Sequence, residues 1–138
     1  MITEICALEI YYSGRTGGQY LKTALILCDD YTELTSKLFL LTDNPGWSDE
    51  KSQHKFKNYH DIQGDVQAVF KTKRAGELAQ AERLHGAMKA RRERRNQFFH
   101  STHLLDLTVN RRECVEGFCD LMESGRLLFG ADWDSEVS

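Results

Sequence analysis

QYLKTALILCDDYTELTSKLFLL, residues Gln19 to Leu41, carries the clearest periodicity in the chain. Ala24, Leu27, Tyr31, Leu34, Leu38 and Leu41 recur at spacings of three and four. Residues so spaced lie on one side of a 3.6-residue helix, so the stretch predicts a helix with one apolar seam about five turns long. A seam this regular is core packing, either within the fold or between subunits. Asp29, Asp30, Glu33 and Lys37 fall on the other side and predict a polar face. Glu33 and Lys37, one turn apart, predict an exposed ion pair that contributes a few tenths of a kcal/mol.

Outward from this helix the chain continues in the same style. Before it, Ser13 to Gly18 holds three glycines and reads as a turn. That turn lacks the Lys-Ser/Thr ending of a phosphate-binding loop. Residues Thr3 to Tyr12 fit a helix that buries Ile5, Leu8 and Tyr12, but Cys6, Leu8, Ile10 and Tyr12 also alternate as in a strand. Helix is favoured because no partner strand is evident elsewhere. After it, TDNPGWSD (residues 42–49) is a loop built on Asn-Pro-Gly. Ser48 then reads as the cap of a second helix running to about Thr72, with Phe56, Tyr59, Ile62, Val66, Val69 and Phe70 on its face. A third spans about Ala75 to Arg92 and buries Leu78, Ala81, Leu84, His85 and Met88. Asn110 followed by Glu113 is a capping-box start for the last helix, which uses Val115, Phe118, Cys119 and Met122 and ends at Gly125 or Gly130. The expected fold is an all-α bundle of about five helices. It forms a single domain over residues 1–138, with an acidic tail, residues 131–138, that is loose or docked by Trp133.

Composition narrows the function. With 41% hydrophobic and 28% charged residues, 138 residues make a globular domain rather than a disordered one. The net charge of −3 argues against a general nucleic-acid coat. Charge is nonetheless segregated: residues 71–95 carry nine Lys/Arg and three Glu, whereas residues 113–138 carry seven Asp/Glu and one Arg. This is a local basic footprint on an acidic body, or two segments that pair with each other. Cys6, Cys28, Cys114 and Cys119 form no C-x-x-C pair, which predicts reduced, mostly buried thiols in a cytoplasmic protein. No apolar run is long enough to span a membrane.

The chemistry concentrates in KARRERRNQFFHSTHLLD, residues 89–106. Arg92, Asn96, His100 and His103 share a helical stripe. Arg95 is five residues before His100, so an ideal helix turns its Cβ away by roughly 140°. Its side chain must reach around, or a helix must start or kink near Asn96. Asn96, one turn before His100, can hold one ring nitrogen and leave the other free for proton transfer. A permanent cation, an orienting amide and an imidazole suit attack on a phosphodiester without a metal. The alternative is a basic helix end that complements the dipole and is otherwise solvated.

Arg95-Asn96-x-x-x-His100 resembles the R-N-x-x-x-H motif of HEPN domains, small all-helical domains of which many are metal-independent ribonucleases in toxin–antitoxin, defence and RNA-processing systems. The resemblance implies that Arg95, Asn96 and His100 are catalytic and that the Arg and His form a composite site across a homodimer. It implies RNA as substrate, a cognate antitoxin or regulatory protein as a further partner, and no cofactor or metal. Some HEPN domains also carry an E-x-x-x-K on an early helix, similar to Glu33-x-x-x-Lys37. In some antitoxin-regulated members a Tyr stands two residues after the His; here Thr102 stands there, so modification of such a tyrosine does not carry over. The neighbouring cations Lys89, Arg91, Arg92 and Arg94 are the candidate RNA-binding residues.

Two other classes compete. One is a non-catalytic helical module that binds RNA, nucleotide or protein through the same basic face. The other is a magnesium-dependent all-α nucleotide pyrophosphohydrolase, for which Glu113, Glu116 and Asp120 offer one carboxylate set but no second set is evident. A zinc site from His100, His103, Cys114 and Cys119 has a spacing unlike the usual patterns. His54 and His60 have no partner at ligand spacing, so exposed or partly buried side chains are expected.

Overall fold

A computed structural model describes residues 19–52, 55–100, 109–130 and 133. Four α-helices make the fold: α1 (Gln19–Asp43), α2 (Tyr59–Lys73), α3 (Leu78–His100) and α4 (Arg111–Phe129). A two-stranded hairpin, β1 (Glu50–Ser52) and β2 (Lys55–Phe56), sits between α1 and α2, and a 3-10 turn, Ala75–Glu77, leads into α3. The all-α bundle is therefore as expected, with four helices among the described residues rather than about five. The helix expected at Thr3–Tyr12 lies outside them.

Partners along each helix give its direction. Ser36, Phe39 and Asp43 of α1 meet Gln63, Phe70 and Lys73 of α2 in ascending order, so the two run parallel. Leu21 meets Cys114, and Phe39 meets Phe129, so α4 also runs with α1. Arg83, Arg91 and Arg94 of α3 pair with Glu123, Asp120 and Glu113 in descending order, so α3 runs against the other three. Parallel neighbours cannot be joined by a tight turn, and the chain between α1 and α2 has to travel back along the bundle. Asn44 Oδ1 accepts from Gly46 N (3.1 Å), which starts that return, and Lys37 holds it through Asp49 (3.1 Å).

This return corrects the expected second helix. Ser48 Oγ accepts from Glu50 N (3.0 Å), a local bond that turns the chain into the hairpin instead of capping a helix. Phe56 is the one large apolar side chain of residues 50–57 and is 70% exposed, so a helix there would bury almost nothing. The helix begins at Tyr59, where Asn58 and Asp61 form a reciprocal capping box, and Gly64 does not interrupt it.

α4 starts as expected: Asn110 Oδ1 accepts from Glu113 N (2.9 Å) and Glu113 Oε2 accepts from Asn110 N (2.8 Å). Gly130 ends it with φ +92°, a backbone conformation that suits glycine. Its buried stripe is Cys114, Gly117, Leu121, Ser124 and Leu128, rotated from the expected one, which leaves Val115 and Cys119 exposed. Gly125 is inside the helix because the Trp133 indole, stacked on Phe129, occupies the space a Cβ would need.

Two apolar clusters fill the bundle. One joins Phe39 and Leu40 to Ile62, Val66 and Phe70, with Leu84, Met88, Leu127 and Leu128 from the other helices. The second, at the other end, joins Leu21, Ala24 and Leu25 to Val109 and Cys114. The core-facing side of α1 is not the one the seam predicts. Leu34, Leu38 and Leu41 are 57%, 51% and 44% exposed, while Asp29, Thr32, Thr35 and Ser36 are buried. The hydroxyls tolerate this because each donates to the carbonyl four residues back: Thr32 to Cys28 (2.7 Å), Thr35 to Tyr31 (2.5 Å), Ser36 to Thr32 (2.9 Å). Gln63 Nε2 in turn donates to Ser36 Oγ (2.8 Å).

Candidate active site

α3 runs unbroken from Leu78 to His100, so no helix starts or kinks at Asn96. The extension past Arg92, the expected end, carries Arg95 and Asn96 on the same helix as Lys89 and Arg92. The side chain of His100 lies outside the described residues, as do Thr102 and His103.

Arg95 reaches across to α1. Its Nη2 donates to Asp30 Oδ1 (3.1 Å), its Nε lies 3.6 Å from Asp29 Oδ2, and its Nη1 donates back to Asn96 Oδ1 (3.3 Å). Arg92, one turn earlier, ion-pairs with Glu33 (2.7 Å) and lies 3.6 Å from Asp29 Oδ2. Its guanidinium also stands 4.5 Å from the centre of the Tyr59 ring. Glu33 holds Lys37 as expected (3.2 Å), and Lys37 continues to Asp49. The acidic face of α1 and the basic end of α3 thus form one charge network that joins Glu33-x-x-x-Lys37 to the arginines beside the motif.

Asp29 is the centre of that network and only 2% exposed. Its contacts with the two arginines are longer than hydrogen bonds, and burial raises its carboxyl above the usual range despite Arg92 and Arg95. A carboxyl raised on folding binds its proton more tightly in the folded chain. Its contribution is most favourable below the ordinary carboxyl pKa, near 4, and declines as pH rises through the folded value. Asp29→Asn removes that decline. The melting temperature of the variant, minus that of the native chain, is therefore expected to increase as pH is raised from about 4 to neutral. Paired thermal melts across this window check it, and a difference independent of pH would contradict it.

Next to this network, and sharing Arg92 and Glu33 with it, a polar cleft of ≈330 Å³ opens against the start of α2. Lys89, Arg92, Glu93 and Asn96 form one wall, Lys57, Asn58, Tyr59 and His60 the other, and Glu33 the floor toward α1. Lys57 is anchored to Asp65, and Trp47 donates to the same carboxylate (2.9 Å). Lys89 makes no ion pair among the described residues, so its charge faces the cleft unneutralised. The Tyr59 hydroxyl is buried without a hydrogen-bond partner among the described residues, and its burial raises the phenol well above its ordinary range. His85, half-buried beneath, is held toward its neutral form by burial, with His60 and Lys89 adding to the effect. Lys57, Tyr59 and His60 are residues that the sequence reading did not place at the site. Their only signal was proximity to the Asn58 cap, which says where a helix starts but not what it faces.

The four candidate RNA-binding cations divide. Lys89 and Arg92 line the cleft. Arg91 pairs with Asp120 and Arg94 with Glu113 (3.4 Å), between α3 and α4. Two of the four, together with Arg83 on Glu123, therefore meet the acidic segment, one of the two arrangements the charge segregation allowed. The same pairs engage the carboxylates of the magnesium reading, while Glu116 is held by Arg112 (2.7 Å). Among the described residues no group of three His, Cys, Asp or Glu converges to hold a metal. Cys114 is buried with its Sγ bonded to Leu21 O (3.2 Å), and Cys119 faces solvent, so the two do not converge.

Comparison with family models, with curated proteins and with solved structures finds no match. Among the described residues no helix is long and apolar enough to cross a membrane.

Proposed function

We propose that this chain is a metal-independent endoribonuclease of the HEPN type, acting in a toxin or defence setting. The observation that carries the reading is the unbroken α3. It sets Arg95 and Asn96 side by side, links them by a hydrogen bond, and places Asn96 with Lys89 and Arg92 in a cleft of nucleotide size. In this mechanism the 2′-OH of RNA attacks the adjacent phosphorus, and His100 acts in proton transfer. Asn96 orients His100, and Arg95 stabilises charge on the phosphorane-like transition state. The products are a 2′,3′-cyclic phosphate and a 5′-hydroxyl. The test is cleavage of single-stranded RNA in EDTA by the native chain and by His100→Ala. RNA binding without cleavage would favour the non-catalytic module instead.

The homodimer belongs to the same proposal. Leu34, Leu38 and Leu41 form an exposed apolar strip on α1. On a 3.6-residue helix Asp30, which holds Arg95, lies only about 40° around from Leu34. A two-fold contact along the strip would bring the two Arg95 edges near one another and cover the leucines. Sedimentation at tens of micromolar, a range in which modest affinities register, is expected to show a dimer. Leu34→Glu with Leu38→Glu is expected to yield a folded monomer, and a native chain that sediments as a monomer would remove this part of the proposal.

A further inference from the structure

We infer that His60 is a second proton-transfer residue of the RNA-cleaving site, a role that rests on the ribonuclease reading. Cleavage by an internal 2′-OH needs two proton movements. One group accepts the proton of the 2′-OH as the O2′–P bond forms. Another donates a proton to O5′ as the P–O5′ bond breaks. The motif supplies one imidazole per chain, so a composite site across a dimer takes both from motif histidines, whereas His60 offers a second from within the same chain. His60, exposed at the second residue of α2, lines the same cleft as Asn96, and Asn96 is one turn, about 6 Å of rise, from His100 on α3. A substrate phosphate in this cleft would thus have an imidazole from α2 on one side and the motif helix on the other.

The surroundings favour His60 over the other acid–base groups present. Glu33 is committed to Arg92 and Lys37, and Lys57 to Asp65. His85, behind Tyr59, lies half-buried and is held toward its neutral form. Glu93 is exposed in the cleft but stands on the motif helix itself, whereas His60 stands on the opposite wall. The Tyr59 ring lies edge-on to the His60 imidazole, with ring centres 5.9 Å apart. Lys89 and Arg92 supply cations to hold the phosphate between the two walls.

The experiment compares His60→Gln, Glu93→Gln, His100→Ala and the native chain on a labelled single-stranded oligoribonucleotide. Cleavage is followed from pH 5 to pH 9, and affinity is measured separately by anisotropy. His60→Gln is expected to lower the cleavage rate by roughly a hundredfold, the usual scale for a proton-transfer group, with affinity unchanged within about twofold. One arm of the pH–rate profile should be lost, and the loss of rate should far exceed that of Glu93→Gln. If His100→Ala is inactive while His60→Gln cleaves within twofold of native, the inference is overturned and the ribonuclease reading stands. A His60→Gln loss that is wholly one of affinity, or a loss in Glu93→Gln with His60→Gln active, also overturns it. A native chain that cleaves no RNA overturns both.

Discussion

Replacing His100 by Ala is expected to lower RNA cleavage by roughly a hundredfold or more, because the attacking 2′-OH loses a proton-transfer partner. Arg95→Lys should be nearly as damaging. The substitution keeps the charge but loses the planar fork that meets Asp30 and Asn96 at once. Asn96→Ala should be milder, since the amide orients rather than reacts. The flanking cations should separate by location. Lys89→Ala, in the cleft and without an ion pair among the described residues, should weaken RNA binding and flatten its salt dependence, while Arg92→Ala should also lower stability because Glu33 holds its guanidinium. Arg91→Ala and Arg94→Ala should act mainly on stability, because Asp120 and Glu113 occupy those guanidiniums. Initial rates in EDTA, with affinities measured in parallel, check the order. Equal activity in all of these variants would mean that the motif is a solvated helix face and that the function lies elsewhere.

The largest expected loss of stability is at Phe70. Its ring is fully buried, stacks on Phe39 at a centroid distance of 5.9 Å, and carries the Arg74 guanidinium 4.8 Å above it. It joins α1 to α2 in the larger core cluster. Phe70→Ala removes the ring and leaves a cavity that rigid helices cannot fill, at a cost of about 3–5 kcal/mol. Phe56→Ala serves as the control. That ring is mostly exposed, so its loss should change stability by no more than about 0.5 kcal/mol. Urea unfolding of the two variants side by side decides the matter, and similar midpoints would show that the core is not where the packing places it.

Helix existence and helix caps were written locally and could be read without the fold. Capping at Asn110–Glu113 depends on residues three apart, and the stop at Gly130 depends on one backbone angle, so neighbours in sequence suffice. The same logic would have found the true start of α2, since Asn58-x-x-Asp61 is a capping box in plain sight. Ser48, with Glu50 and Lys51 in the turn after it, offers a rival cap, and only the scarcity of apolar residues in 50–57, Phe56 alone, argues otherwise. The fate of Asp29 could not be read this way. It sits on α1 among polar residues, and periodicity assigns it to solvent. Burial of a carboxylate is tolerable only when cations stand beside it, and those cations, Arg92 and Arg95, are more than sixty residues away in sequence. Which side of α1 faces inward was therefore decided by tertiary contact: hydroxyls satisfied by their own helix and a carboxylate met by arginines could be buried, and the leucine strip was left outside. His60 followed the same rule. The sequence by itself determined the all-α character, the caps at Asn58 and Asn110 and the motif on α3; only the packing of α2 against α3 brought His60 into the cleft with Asn96, because that proximity is a property of two helices and of neither alone.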